Sequence, residues 1–501
     1  SVPERSAGQT ISEALQQATV ADRDLAQALA SYAPGAQVVR DGVVYTIEGL
    51  ADFTPGYGGK GKNGGVKFPV SKPVGPKKVL STCRKCSFAD VAVGTDPTLE
   101  DLAQGACPVC SEELSVVPMY EPRGFWASVE KSAPYRGEST ALTGRSQPTF
   151  SPTGTSSESQ TIKCLHVERY PQSRIVQFND NRHRLFDLRE WDKRLYAVDE
   201  DLFDFFPEGR SGRQFAQAAL GFTRVTDAVT FGLDAPAIPG AIVSPDEGIH
   251  PAGMSAYHSF AELLRRSARV SLDVDPQELQ SGLYFSTDRT SGGSSMRVYL
   301  ADAAANGAGY AEEFGRRGNL EALLSTTRKD LTDQYMNERH QDRCTSLCPD
   351  CLQGWDNQRL HGALNWRLAL DMLDLAAGDE LDASRWFHQI DDIARLLHDY
   401  LGGRSEESAI IRRGELEIPV VVNGSRALVI SHPLWARSAG GRAAAPSSPA
   451  AAVVAEVEAE GLDVVVTDPV EIRRTPVKLL QSLKTLAPQR DSELKKRRKS
   501  L

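Results

Sequence analysis

Cys344-Thr345-Ser346-Leu347-Cys348-Pro349-Asp350-Cys351 packs three cysteines into eight residues. Two thiolates two residues apart can grip one metal ion from a single tight turn, and a third close by leaves a tetrahedral shell one donor short. That donor has to come from elsewhere. His361 stands ten residues after Cys351, one or two helical turns past the knuckle, and is the leading candidate. His340 is the local alternative and Cys164 the distant one; three-ligand or metal-free packing covers what remains. Three cysteines and a histidine would leave no position for water or substrate, so the expected role is structural.

A second set lies upstream. Cys83-x2-Cys86 is followed after twenty residues by Cys107-x2-Cys110. Two such pairs supply four thiolates, the donor set of a structural zinc ribbon, and two zinc ions are expected in all. Of eight cysteines only Cys164 stands outside the clusters. Clustered cysteines without a disulfide ladder suit a reducing compartment, and the cytoplasm is the expected location. No apolar run reaches the length of a membrane span, and no signal peptide opens the chain. The chain begins with Ser on a helix-like stretch, which reads as a piece of something larger.

The length, 501 residues, exceeds what one core supports. The fold class expected is α+β and multidomain: a β-rich N-terminal part with a zinc ribbon, a helical zinc-binding module and a small C-terminal α/β part. Residues 1–77 read as a helix (10–33) and a β-hairpin connector, the hairpin turning on Asp41-Gly42. The ribbon takes 78–126. Residues 127–248 read as a β-rich domain with a long Ser/Thr/Gly-rich loop at 132–160. The zinc module takes 249–404, with helices about 318–341, 357–376 and 383–402. Residues 405–501 hold strand candidates at 418–422, 427–430 and 462–467, a linker at 437–451 and a basic tail. The net charge is -9, which excludes a globally basic nucleic-acid binder. DNA contact would have to be local, through Lys60 and Lys62 or through Lys495, Lys496, Arg497 and Arg498.

Two further stretches invite chemistry. Asp302 to Gly309 reads as strand, glycine-containing loop and helix start, whose amides could hold an anion; a tight turn capped by Asp302 is the simpler reading. The first lacks the Lys of the P-loop pattern G-x-x-x-x-G-K-[ST], and Gly58 to Gly65 does not fit that pattern either. Asp468 and Glu471 suggest a metal-dependent nuclease or hydrolase, but the acidic-x-Lys strand pair of that chemistry is missing. No Ser/His/Asp or Cys/His pairing is arguable, and no catalytic residue is assigned.

Val298-Tyr-Leu-Ala-Asp302 with Asn306-Gly-Ala-Gly-Tyr310, Cys344, Cys348-Pro-Asp-Cys351-Leu352 and the continuation Asn357-Gln-x-x-His361-x-x-Leu-x-Trp366-Arg367-Leu-Ala-Leu370 resemble the MrfA-type zinc-binding domain. That domain lies in the C-terminal region of bacterial superfamily-2 helicases of the DEAD/DEAH kind, and is related to DrmB of the DISARM phage-defence system. The resemblance implies a His at the place of a fourth Cys, which favours His361. Tyr32-Ala-Pro-Gly35, the ribbon and Glu121-Pro-Arg-Gly-Phe125 are similar to what precedes the domain in such helicases. The chain has no Walker A, DEAH-like box or helicase motif set. The resemblance therefore implies a non-catalytic accessory module or subunit of a DNA helicase or translocase, in anti-phage defence or DNA repair. Its motor would be a separate chain or a missing N-terminal portion. The alternatives are a hydrolase in the C-terminal part and a protein scaffold without DNA contact.

Overall fold

The computed structural model describes residues 24–52, 72–84, 88–92, 106–107, 112–127, 132–137, 147–151, 156–191, 194–199, 203–205, 212–233, 251–287, 294–400, 408–437 and 444–474. The chain divides into two compact units: Ser1–Gly154 with Gln172–Thr226, and Thr155–Pro171 with Asp227–Leu501. The fold is mixed α+β, with a strand-rich N-terminal part, a helical region carrying a Cys/His cluster and a small C-terminal sheet.

In the first unit, helix Leu25–Ser31 starts where the Asp24 carboxylate accepts the Ala26 amide at 2.8 Å. Strands Gln37–Arg40 and Val43–Leu50 form the hairpin expected at Asp41-Gly42, and both turn residues have positive φ, 51° and 75°. That is the geometry whose twist matches the flanking strands. Val43–Leu50 pairs with Arg194–Asp199, which pairs with Phe186–Trp191. Their inward residues, Leu50, Phe186, Leu188, Leu195 and Ala197, are buried with Leu29 of the helix. A second small core forms around Leu80, Val91, Met119 and Val176, between the hairpin Lys78–Thr82/Ala89–Ala92 and its neighbours.

In the second unit, helix Pro251–Leu272 carries Tyr257, Phe260, Leu263 and Leu264 at helical spacing, and all four are buried. It packs on the hairpin Leu279–Thr287/Ser294–Asp302 and on helix Trp366–Ala376, every residue of which is buried. The polar members of that helix are paired. Asp371 binds Arg385 and accepts the Trp386 indole N–H at 2.9 Å; Asp374 accepts Arg385 at 2.7 Å. A buried charge without such partners would be expelled or neutralised. The C-terminal sheet orders Ser408–Arg413, Ile418–Asn423, Arg426–Ile430 and Asp463–Thr467, the last two parallel and joined through helix Ala450–Ala459. No described helix is long and apolar enough to cross a membrane.

Three stretches differ from the sequence reading. Within the loop expected at 132–160, Gln147–Ser151 and Glu158–Ile162 are strands, paired in antiparallel fashion to the two halves of Leu165–Asn179. Polar, Ser/Thr-rich residues form strands there because a long neighbouring strand supplies the ladder; burial pattern alone does not announce them. Residues 357–365 are not helical beyond the 3-10 turn Gln358–Leu360, because the Asn357 side chain is committed elsewhere and Asn365 caps a new helix, accepting the Arg367 amide at 2.9 Å. The side chain of Arg437, at the start of the expected linker, is almost fully buried in an ion pair with Asp468 and Glu471.

Candidate metal centre

Helix Glu338–Arg343 begins at Asn337, whose side chain accepts the Arg339 amide at 3.0 Å, and ends at Cys344. It places His340 one helical turn before the first cysteine. The knuckle then folds back on itself: the Cys351 amide donates to Cys348 O at 3.1 Å, and the Cys348 amide donates to Cys351 Sγ at 3.2 Å. The ligand atoms of His340, Cys344, Cys348 and Cys351 all lie within 4.8 Å of one another. Cys344 Sγ and Cys348 Sγ stand 3.8 and 3.7 Å from Cys351 Sγ, and His340 Nε2 stands 3.4 Å from Cys348 Sγ. Zinc bonded to sulfur at about 2.3 Å gives a tetrahedral edge of about 3.8 Å, so the spacing suits that ion.

The histidine is set for this task. Its Nδ1 faces the Tyr335 carbonyl at 2.8 Å, which fixes the proton there and leaves the Nε2 lone pair toward the sulfurs. The ring stacks on Tyr335 at 5.5 Å and meets Trp366 edge to face at 5.2 Å. The Cys344 thiol hydrogen-bonds to Cys351 and lowers its pKa to about 5, while Cys344 itself is pushed up. Burial, reinforced by the neighbouring cysteines, also pushes up the Tyr335 hydroxyl.

The knuckle's carbonyls are clamped from outside. Arg266 reaches the carbonyls of Cys351 and Asp350, the latter at 3.1 Å. Arg367 donates to Thr345 O at 2.8 Å, the Trp366 indole to Cys344 O at 3.2 Å, and Arg473 to the Ser346 hydroxyl. These contacts fix the loop that carries the donors, and none offers an open position to a substrate.

His361, the leading sequence candidate, is placed elsewhere. Its Nε2 faces Gly354 O at 3.0 Å and Asn357 Oδ1 at 2.9 Å. Asn357 in turn donates to Glu262 at 2.7 Å, and Glu262 binds Arg265 and accepts Ser281 at 2.7 Å. The structure thus brings His340, and not His361, to the three cysteines. Cys164 lies apart as well: its amide donates to Ala376 O. The signal for His340 was its position on a short capped helix that runs directly into Cys344.

Of the upstream set, Cys83 and Cys107 are buried, and Cys86 and Cys110 lie outside the described residues. The Cys83 amide donates to Phe88 O at 2.8 Å and the Cys107 amide to Glu112 O at 2.7 Å. Lys60, Lys62, Lys495, Lys496, Arg497 and Arg498 also lie outside the described residues.

The other two candidate stretches close on themselves. Asp302 Oδ2 accepts the amides of Ala308 and Gly309, each at 2.6 Å, and Oδ1 accepts that of Ala311 at 2.8 Å. The chain's own carboxylate thus occupies the amides that would receive an anion. Asp468 caps helix Pro469–Arg474 through the Val470 and Glu471 amides, and Arg437 neutralises both Asp468 and Glu471. A guanidinium between two carboxylates stands where a catalytic cation would have to sit.

His340, Cys344, Cys348 and Cys351 thus form a four-donor Cys3His cluster that could hold a metal ion. Residues 260–352 match the family model of the MrfA Zn-binding domain. The Druantia protein DruE of Escherichia coli (strain UMEA 4076-1) is 22% identical over 398 residues, covering 71% of this chain and 19% of DruE. Two crystal structures of the DUF1998 helicase MrfA, one bound to DNA and one to DNA and AMPPNP, align with 46% and 50% of the chain at 11% identity. Their TM-scores are 0.28 and 0.19, and the aligned part is 25% and 24% of MrfA. The chain spans about a fifth of the length of DruE and about a quarter of that of MrfA.

Proposed function

We propose that this chain is a non-catalytic, zinc-stapled module of a DNA helicase or translocase, serving anti-phage defence or DNA repair. The observation that carries the reading is the MrfA Zn-binding domain at 260–352 with a complete donor set built into it. Its ligands are Cys344, Cys348, Cys351 and His340. A second zinc is held by Cys83, Cys86, Cys107 and Cys110. When bound, zinc supplies cross-links that hold loops in place; the chain's residues do the docking and the DNA guidance. The superfamily-2 motor is either a separate chain or an N-terminal portion of the same protein. Lys60, Lys62, Lys495, Lys496, Arg497 and Arg498 contribute contacts to phosphates. The relation to DruE, a Druantia protein, favours the defence setting, and the cytoplasm is the place for such a complex.

The test is purification of the tagged chain from its native host, with metal analysis and ATPase assay of what accompanies it. Two zinc ions per chain and a DNA-stimulated ATPase are expected. One zinc per chain breaks the two-site account. Metal-dependent DNA cleavage by the isolated chain, lost in Asp468→Asn or Glu471→Gln, would overturn the non-catalytic reading.

A further inference from the structure

Asn179 to Leu185, which leads from strand Leu165–Asn179 into strand Phe186–Trp191, holds an unusual backbone. Asn181, Arg182, His183 and Leu185 have φ of 52°, 57°, 69° and 65°. L-residues visit this left-handed region singly and at a cost; Asn tolerates it, Arg and Leu do so poorly, and glycine is the usual solution. No glycine stands in this turn.

The turn is held from the inside. Asn181 is buried, its amide donates to Asn179 Oδ1 at 3.0 Å, and its side-chain Nδ2 donates to Leu185 O and to Asp199 Oδ2, each at 3.1 Å. The Arg184 amide closes on Asn181 O and the Leu185 amide on Asp180 O. Asn179, also buried, donates to Leu29 O at 3.0 Å. Arg182, His183 and Arg184 stand outside on this frame, all exposed. The carboxylates that meet them lie inward: Asp180 faces His183 Nδ1 at 2.8 Å, Asp199 faces Arg184 at 3.4 Å, and their side chains are 14% and 9% exposed. Arg182, His183 and Arg184 thus project from a fixed backbone, with His183 and Arg184 each resting on a carboxylate beneath. Strain retained where surrounding structure over-determines it is the mark of a pre-organised contact.

We propose that this turn is a contact for the phosphodiester backbone of DNA, with Arg182 and Arg184 donating to phosphate oxygens. The proposal rests on the reading of the chain as a DNA-acting module, and adds a contact on rigid structure to the lysine-rich segments. Guanidinium forks match phosphate oxygens, and contacts to phosphates carry no sequence information. Binding through it is independent of sequence and sensitive to salt.

The experiment is fluorescence anisotropy of the full zinc-loaded chain on duplex and single-stranded DNA across about 50 to 200 mM salt. Arg182→Ala/Arg184→Ala is expected to weaken binding to every sequence alike, about tenfold at the low-salt end, and to lower the salt slope by about 1 to 2. Arg182→Lys/Arg184→Lys restores the slope. Asn181→Gly keeps every cation but frees the backbone, and is expected to lower affinity with the slope unchanged. Zinc content and melting temperature of each variant report its folding; if the double variant does not fold, the exposed Arg182→Ala alone carries the test, with a slope change of about 1. A folded variant that binds DNA with wild-type affinity and slope overturns the turn assignment and leaves the helicase-module reading standing. A wild-type chain that binds no DNA overturns DNA contact altogether.

Discussion

His340 and His361 flank the same knuckle, and both are partly buried. They differ in which nitrogen the rest of the fold takes. At His340 the carbonyl of Tyr335 takes Nδ1, and Nε2 is left facing sulfur. At His361 the loop carbonyl of Gly354 and the amide oxygen of Asn357 face Nε2. An imidazole nitrogen already engaged by protein oxygens is not a metal ligand without first giving them up. Reach along the chain cannot separate the two residues. What separates them is the competition for each ring nitrogen, settled by neighbours as distant in sequence as Glu262, which orients Asn357.

The most damaging way to probe the contrast is to remove the shared centre. Structural zinc supplies about 10–16 kcal/mol of folding free energy in small domains. Cys348→Ser is expected to lose the metal and unfold the helical module, seen as lost helical circular dichroism and lost zinc after dialysis. A Cys348→Ser protein that stays folded after chelation would show that the packed helices around Trp366 suffice alone.

Next in size is the choice between the histidines. If four donors share that energy, one ligand carries about 3 kcal/mol, or about 100-fold in zinc affinity. His340→Ala is expected to show this loss, and in the cobalt-substituted chain it should change the ligand-field bands, because a nitrogen leaves the shell. His361→Ala should leave both unchanged while lowering stability by about 0.5–1.5 kcal/mol through the loss of the Nε2–H shared between Gly354 O and Asn357 Oδ1. The reverse pattern would return the ligand role to His361.

Local signals carried much of the architecture. The Asp41-Gly42 hairpin, the apolar spacing of Tyr257, Phe260, Leu263 and Leu264, and the C-terminal strands each follow from a short window of sequence. The cysteine spacing likewise marked the knuckle. The pieces that stayed hidden depend on partners far away in the chain. Gln147–Ser151 has no apolar alternation of its own and is a strand because Arg174 to Phe178 lies beside it. Arg437 sits in a Gly/Ala/Ser-rich stretch that looks like a linker, yet it neutralises Asp468 and Glu471 some thirty residues later. Composition reported the acidic pair as a possible cation site, and only the fold supplies the cation that already fills it.

The mildest test asks whether the two sides of the knuckle are equally tied to it. On one side Arg266 and Arg367 clamp its carbonyls from helices deep in the core; on the other, Arg473 reaches Ser346 from helix Pro469–Arg474. That helix has its own anchors in Val470, Ile472 and the Arg437 ion pair. Arg473→Ala should therefore cost about 0.5–1.5 kcal/mol, the worth of one hydrogen bond, with zinc content unchanged. Amide exchange should quicken in 469–474 and leave Cys344 to Cys351 protected. A loss well above about 2 kcal/mol, or faster exchange in both segments together, would mean that the metal knuckle and the C-terminal helix open as one cooperative unit. In that case metal loading would also set the position of the C-terminal sheet, and the His340→Ala protein should show the same faster exchange at 469–474 without any change to Arg473.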